Sequence, residues 1–279
     1  MRVACPAVTQ LDGRVALVTG AGRGIGRAHA LTLARQGVAV VVNDLGCGID
    51  GQGADEDPAA RVVAEMEASG GRAIVDDTDI GSLAGGARAV QNTLDAYGRI
   101  DILVNNAGIS GVPGQTDTEM VLDRQLAVHL KGTLGTMRAA IPPMKQAGWG
   151  RIVNTVSEVA LDMRLGPAGA YGIAKAAVWS TTLATAKELR DTGITVNGIS
   201  PSARTRMNDV LFSDGEPAHD ISPDHVARVV AYLVTDEAAD ITGHIIHAAG
   251  GVVREYVVRR VKDTELVARL ERALELVGG

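Results

Sequence analysis

The sequence predicts a doubly wound α/β fold, with one parallel sheet of about seven strands and helices on both faces. Three observations carry that expectation. Apolar, β-branched runs alternate with stretches of helical periodicity along the chain. A glycine-rich turn, Thr19-Gly20-Ala21-Gly22-Arg23-Gly24-Ile25-Gly26, joins the first run to the first helix. Other apolar runs end in the polar residues Asp44, Asn105 and Ser157. Strands separated by helices need crossovers, crossovers make neighbouring strands parallel, and a parallel sheet must be covered on both sides.

Taken in order, Asp12-Gly13 is a turn signal and Arg14 to Gly20 reads as a buried strand. The helix-like stretch Arg27 to Gln36 stops at Gly37, and Val38 to Asp44 is a second strand, so the chain opens with a βαβ unit. Residues 45 to 58 are rich in glycine and acid. They form a loop that either folds over a bound adenine or stays mobile at the surface. Helix is expected over Ala59 to Ser69, strand over Arg72 to Asp76, helix over Leu83 to Tyr97, and strand over Ile100 to Asn105. Helical patterning resumes from Thr116 to about Met144, where Pro142-Pro143 should disturb its end. Strand Arg151 to Ser157, helix Ala168 to Arg190, strand Ile194 to Ile199, helix Pro223 to Thr235 and strand His244 to Ala248 complete the pattern. Residues 252–279 read as an extension in which Leu266, Leu270, Leu274 and Val277 recur at helical spacing.

Composition narrows the partners. A net charge of -6 and only 3% aromatic residues argue against a nucleic-acid surface, which needs clustered cations and stacking rings. The apolar runs are too short for a membrane span, and the first ten residues lack the apolar core of a signal peptide. Cys5 and Cys47 fit a reducing compartment, the cytoplasm, and have no metal-ligand spacing. A small molecule is the expected ligand.

The glycines Gly20, Gly24 and Gly26 sit where a strand becomes a helix, a place where backbone amides can approach a pyrophosphate. Asp44 ends the next strand, where a carboxylate can accept hydrogen bonds from both hydroxyls of an adenosine ribose and would repel a 2'-phosphate. NAD is therefore expected in preference to NADP. Asp79 falls where an acid could meet the adenine amino group. Tyr171 and Lys175 are four residues apart on one helix face, and Ser157 ends a strand at the same sheet edge. A phenol is a poor base at neutral pH unless a cation stabilises its anion, and Lys175 is placed to help.

Thr19-Gly20-x-x-x-Gly24-x-Gly26, Asn105-Asn106-Ala107-Gly108, Ser157 and Tyr171-x-x-x-Lys175 resemble the short-chain dehydrogenase/reductase family, from about Leu11 to Gly251. The resemblance implies a Rossmann-like fold over residues 1–251, with cofactor and catalytic sites in one domain. It also implies hydride transfer between a nicotinamide and a secondary alcohol or ketone. Tyr171 would be the acid/base, Ser157 the partner of the reacting oxygen, and Lys175 the holder of the nicotinamide ribose. Gly20, Arg23, Gly24, Ile25 and Gly26 would lie along the cofactor. Asn105, Ala107 and Gly108 would approach its ribose, with Pro201 and Thr205 at its nicotinamide end. Val42 to Gly46, Val128 to Gly132 and Pro201 to Met207 look most like the (3R)-hydroxyacyl-CoA dehydrogenase units of multifunctional enzymes, which points to an acyl-CoA substrate. His129 takes the place of a frequent catalytic asparagine, as a proton relay or as a packed ring. The family association also implies a homotetramer or homodimer. Competing possibilities are an NADP-linked reductase of steroid, polyketide or carrier-bound acyl groups, and a catalytically silent NAD sensor.

Overall fold

Each apolar run expected to be a strand forms one, and the sheet gains an eighth. The structure, a computed structural model, describes residues 11–53, 57–110, 118–161, 169–206 and 220–257. Its strands are β1 (Val15–Thr19), β2 (Ala39–Asn43), β3 (Ala73–Asp76), β4 (Ile102–Asn105), β5 (Gly150–Thr155), β6 (Ile194–Pro201), β7 (Ile245–Ala249) and β8 (Val252–Tyr256). Its α-helices are α1 (Gly24–Ala34), α2 (Pro58–Ala68), α3 (Leu83–Tyr97), α4 (Glu119–Gln125), α5 (Gly132–Ala147), α6 (Gly169–Glu188) and α7 (Pro223–Leu233). A π-helical turn (Leu126–Lys131) separates α4 from α5, and a 3₁₀ turn (Glu158–Ala160) follows β5.

The strand order is β3-β2-β1-β4-β5-β6-β7-β8, and only the β7–β8 pairing is antiparallel. The order reverses between β1 and β4, leaving a crevice beyond their carboxyl ends where such sheets bind ligands. Alternation divides the core. Val18, Val42 and Val104 join Leu33, Val226 and Val230 of α1 and α7 on one face. Leu17, Val41 and Leu103 join Val90, Met137 and Ala140 of α3 and α5 on the other. Burial on both faces fixes the register, because a one-residue slip would exchange the two sets.

Four details depart from the sequence pattern. The helix expected from Thr116 to Met144 is three pieces, with its first two residues outside the described set. α5 continues through Pro142 and Pro143 to Ala147. Met144 is fully buried, so packing retains a last turn that two prolines weaken. β5 ends at Thr155, and Ser157 instead caps the 3₁₀ turn, its Oγ accepting from the Val159 amide at 3.4 Å. β8 arises because Gly250 and Gly251, with φ of 50° and 81°, form a two-residue hairpin turn between Ala249 and Val252. The tail stretch with helical spacing, Leu266 to Val277, lies outside the described residues, as do residues 207–219.

Candidate active site

At the crevice, packing explains the glycines. A Cβ on Gly26 would lie 2.1 Å from the Gly20 carbonyl oxygen and 2.5 Å from Asn106 Nδ2, and one on Gly20 would lie 2.7 Å from Ala107 Cα. Asn106 ties these segments together. Its amide donates to the carbonyls of Thr19 (3.0 Å) and Gly20 (3.1 Å), while Thr19 Oγ1 accepts from the backbone amides of Asn106 and Ala107. Gly26 therefore shapes the loop from beneath and does not line the cleft, whereas Gly20, Arg23, Gly24 and Ile25 do.

Asn105 precedes the cleft-lining residues and turns its side chain into the core. Its Nδ2 donates to Asn154 at 2.9 Å, and its Oδ1 accepts from Thr136 at 2.6 Å. Both polar ends of this buried side chain are engaged in the core. Its neighbours Asn106, Ala107 and Gly108 are the residues facing the cleft.

Asp44 joins two loops, Oδ2 accepting from the Gly22 amide (2.9 Å) and Oδ1 from the Gly46 amide (2.8 Å). Each oxygen retains acceptor capacity for a ribose hydroxyl. Asp79 lines the same end, with Oδ1 accepting from the Gly81 amide at 2.8 Å. The loop after β2 crosses the cleft. The Ile49 carbonyl accepts from the Ser110 amide at 2.9 Å, and Arg124 donates to the Asp50 carbonyl at 3.3 Å. Leu45, Cys47 and Ile49 consequently line a cleft of about 760 Å³. Burial, followed by the nearby Asp44 charge, pushes the Cys47 thiol up from its ordinary range.

Ser157, Tyr171, Lys175 and His129 line the cleft's other end, along with Pro201 and Thr205. Tyr171 on α6 and Ser157 on the turn after β5 face this end of the cleft together. Lys175 Nζ donates to the Thr155 carbonyl at 2.8 Å and sits 5.8 Å from the Tyr171 ring centroid. Burial lowers the Lys175 pKa to about 7. Tyr171 moves the other way: burial raises its pKa, partly opposed by the Ser157 hydrogen bond. Thus the expected lowering by Lys175 is not what dominates here, since both groups are stripped of water and each favours its neutral form.

His129 is buried in the π-helical turn, its ring edge-on to Tyr171 with centroids 5.4 Å apart. Its Nε2 lies 2.9 Å from the Ile109 carbonyl oxygen and 3.3 Å from the Ile109 amide. The shorter contact favours the tautomer in which Nε2–H donates, leaving Nδ1 as an acceptor without a protein partner. Burial, and secondarily the Lys175 charge, holds the imidazole pKa well below its ordinary value. Thr155 Oγ1 is a second buried atom without a partner, also on a cleft-lining residue.

These features suit a dinucleotide. One end offers a cradle that Cβ atoms would fill and an acid beside it. The other offers unpaired buried polar atoms and a lysine with further hydrogens to donate. Sequence reasoning missed Asn106 and Thr155. The Asn-Asn doublet signalled the first, but periodicity could not decide which asparagine faced inward.

The model described as short chain dehydrogenase matches residues 14–215, and the chain belongs to that family. It is an oxidoreductase acting on CH–OH groups. It is 37% identical to a short chain dehydrogenase from Mycobacterium avium of known crystal structure, with a TM-score of 0.78 over 95% of this chain and 96% of that one. It is 38% identical over 258 residues to the peroxisomal multifunctional enzyme type 2 of Drosophila melanogaster, a match covering 89% of this chain but 41% of that protein. It is also 34% identical to the hydroxyacyl-CoA dehydrogenase ChsB1 of Mycobacterium tuberculosis, covering 87% of this chain and 79% of that one. The family binds a nicotinamide dinucleotide. Among the described residues no helix is long and apolar enough to cross a membrane.

Proposed function

We propose that the protein is an NAD-dependent dehydrogenase that oxidises the hydroxyl of a 3-hydroxyacyl-CoA thioester. The observation that carries this reading is the single cleft joining the Asp44-anchored glycine loop to Ser157, Tyr171 and Lys175. The name of the mycobacterial relative, a hydroxyacyl-CoA dehydrogenase, supports the substrate class. Asp44 supports NAD because its charge opposes a 2'-phosphate. NADP is the second reading, favoured by Arg23 on the cleft wall.

The bound dinucleotide supplies the hydride acceptor and, when oxidised, a positive ring. Tyr171 takes the hydroxyl proton in oxidation and returns it in reduction. Its raised pKa means that the phenol is a base only when positive charge stands beside it. Lys175, held by Thr155, provides part of that charge and orients the ribose. Ser157 hydrogen-bonds the reacting oxygen from the side of the cleft facing Tyr171. Gly20, Gly24 and Ile25 face the pyrophosphate, Asp79 the adenine, and Ala107 and Gly108 the ribose. Pro201 and Thr205 face the carboxamide. His129 stays neutral, holds the Ile109 turn and offers Nδ1 as a cleft acceptor. The loop carrying Leu45 and Ile49 shields the adenosine half from water. A homodimer or homotetramer formed through the long helices is part of this reading, as is a cytoplasmic setting.

A panel of (3R)- and (3S)-hydroxyacyl-CoA, steroid and simple secondary alcohols, each with NAD and NADP, checks it by NADH or NADPH absorbance. The expected result is highest kcat/KM with NAD and one hydroxyacyl-CoA epimer. Cofactor binding without turnover of any substrate would favour the silent sensor.

A further inference from the structure

Directly after Ser157, Glu158 turns its side chain away from the cleft and toward the sheet's far edge. Glu158 does not line the cleft. Its Oε2 accepts a hydrogen bond from the Tyr256 hydroxyl, and it lies 3.3 Å from His247 Nδ1, an approach without hydrogen-bond alignment. The Glu158 amide donates to Ser200 Oγ at 2.9 Å. The short turn bearing Ser157 is therefore fixed to β6 by its backbone and to β8 by its side chain.

Tyr256 also reaches the other catalytic element. Its ring meets Trp179 edge-on, with centroids 5.6 Å apart and planes at 66°. Trp179 is buried on α6 one turn beyond Lys175. Tyr256 thus braces two elements: the hydroxyl holds the Ser157 turn, and the ring holds the helix bearing Tyr171 and Lys175. Ser157 and Tyr171 face one cleft from these same elements, so their alignment depends on the separation of the elements.

We infer that Tyr256 and Glu158 form a positioning pair through which β8 sets the placement of Ser157 relative to Tyr171. Neither is a catalytic residue, because neither reaches the cleft. The hydrogen bond locks a 3₁₀ turn of only three residues, whose Val159 amide is held by a long 3.4 Å bond to Ser157 Oγ. Such a turn has little order of its own, and small displacements of reacting groups are costly to turnover.

The inference rests on the proposed dehydrogenase activity for its kinetic consequence, so the test pairs turnover with a measurement independent of it. Tyr256→Phe removes the hydroxyl and keeps the ring on Trp179. Amide hydrogen exchange across 157–161 should accelerate about tenfold with an unchanged melting temperature. On the hydroxyacyl-CoA substrate that the wild type turns over, kcat should fall roughly tenfold or more while NADH affinity is retained. Glu158→Ala should match it, and the double variant should lose no more than either single variant. Glu158→Gln, whose carbonyl oxygen can still accept from Tyr256, should restore most of the rate and protection. Unchanged exchange in Tyr256→Phe would overturn the inference, even for an enzyme with a different substrate. Additive losses, or a Glu158→Gln defect as large as that of Glu158→Ala, would also overturn it. A wild type without turnover would count against the dehydrogenase reading alone, leaving the exchange result to decide the pair.

Discussion

Asp44 shows how one side chain can serve a cofactor and a fold together. Its carboxylate organises the Gly22 and Gly46 amides, so charge and backbone order change together if it is replaced by a cation. Asp44→Asn separates the two, keeping an acceptor for one amide while removing the charge. The expected outcome is a rise of about tenfold in the kcat/KM ratio of NADP to NAD, the scale of one charge-assisted hydrogen bond. A ratio that stays within a factor of about two would assign cofactor choice elsewhere. That Asp44, Ser157, Tyr171 and Lys175 line one cleft was legible because two follow strands within a residue or two and two share a helix face. The direction of the Asn105 side chain was not: the chemistry of the Asn-Asn doublet is the same at both positions, and only strand alternation in three dimensions sends Asn105 to Asn154 and Thr136. Electrostatic sign was also hidden, since the burial that raises Tyr171 and lowers Lys175 is a property of the packed site.

Among the elements, the strand-to-helix turn of β1 and α1 tolerates little change. Gly26→Ala would press a methyl group against the Gly20 carbonyl and the Asn106 amide, so the loop must shift where it meets the pyrophosphate. NADH fluorescence titration should show affinity reduced about tenfold or more, with a stability loss of roughly 1–3 kcal/mol in thermal unfolding. Wild-type affinity would show that the loop adapts freely. Helix and strand order was readable along the chain because period 2 and period 3.6 differ plainly in long runs. Three features resisted. The π-helical turn around His129 has helical spacing in sequence, so a single extra residue in the turn leaves no compositional mark. α5 continues past two prolines because Met144 is buried, a tertiary effect. The Gly250-Gly251 signal for a hairpin was present, but a following strand of only five residues has little periodicity to distinguish it.

At the level of the whole molecule, the buried histidine of α1 links stability to pH. His29 is fully buried, both ring nitrogens lack a hydrogen-bond partner, and burial lowers its pKa to about 3. An unfolded chain binds that proton near the ordinary value of 6.5, so between these values acid favours unfolding. The site should contribute up to about 1.4 kcal/mol of lost stability per pH unit as pH falls below the unfolded value, with the loss complete below the folded one. Denaturant unfolding of wild type and His29→Leu between neutral and mildly acidic pH reads this directly. The variant should have the shallower acid limb, while His129, also depressed, leaves some slope in both. Parallel limbs would contradict the assignment.

The same sheet that buries His29 on α1 aligns the strand ends around one cleft. The decisive measurement is single-turnover reduction of NAD by Tyr171→Phe beside the wild type, on the preferred hydroxyacyl-CoA, with NADH affinity determined in parallel. With Tyr171 as the acid/base, hydride transfer slows by roughly 10²-fold or more while NADH still binds. A variant that binds NADH and transfers hydride at the wild-type rate would contradict that role.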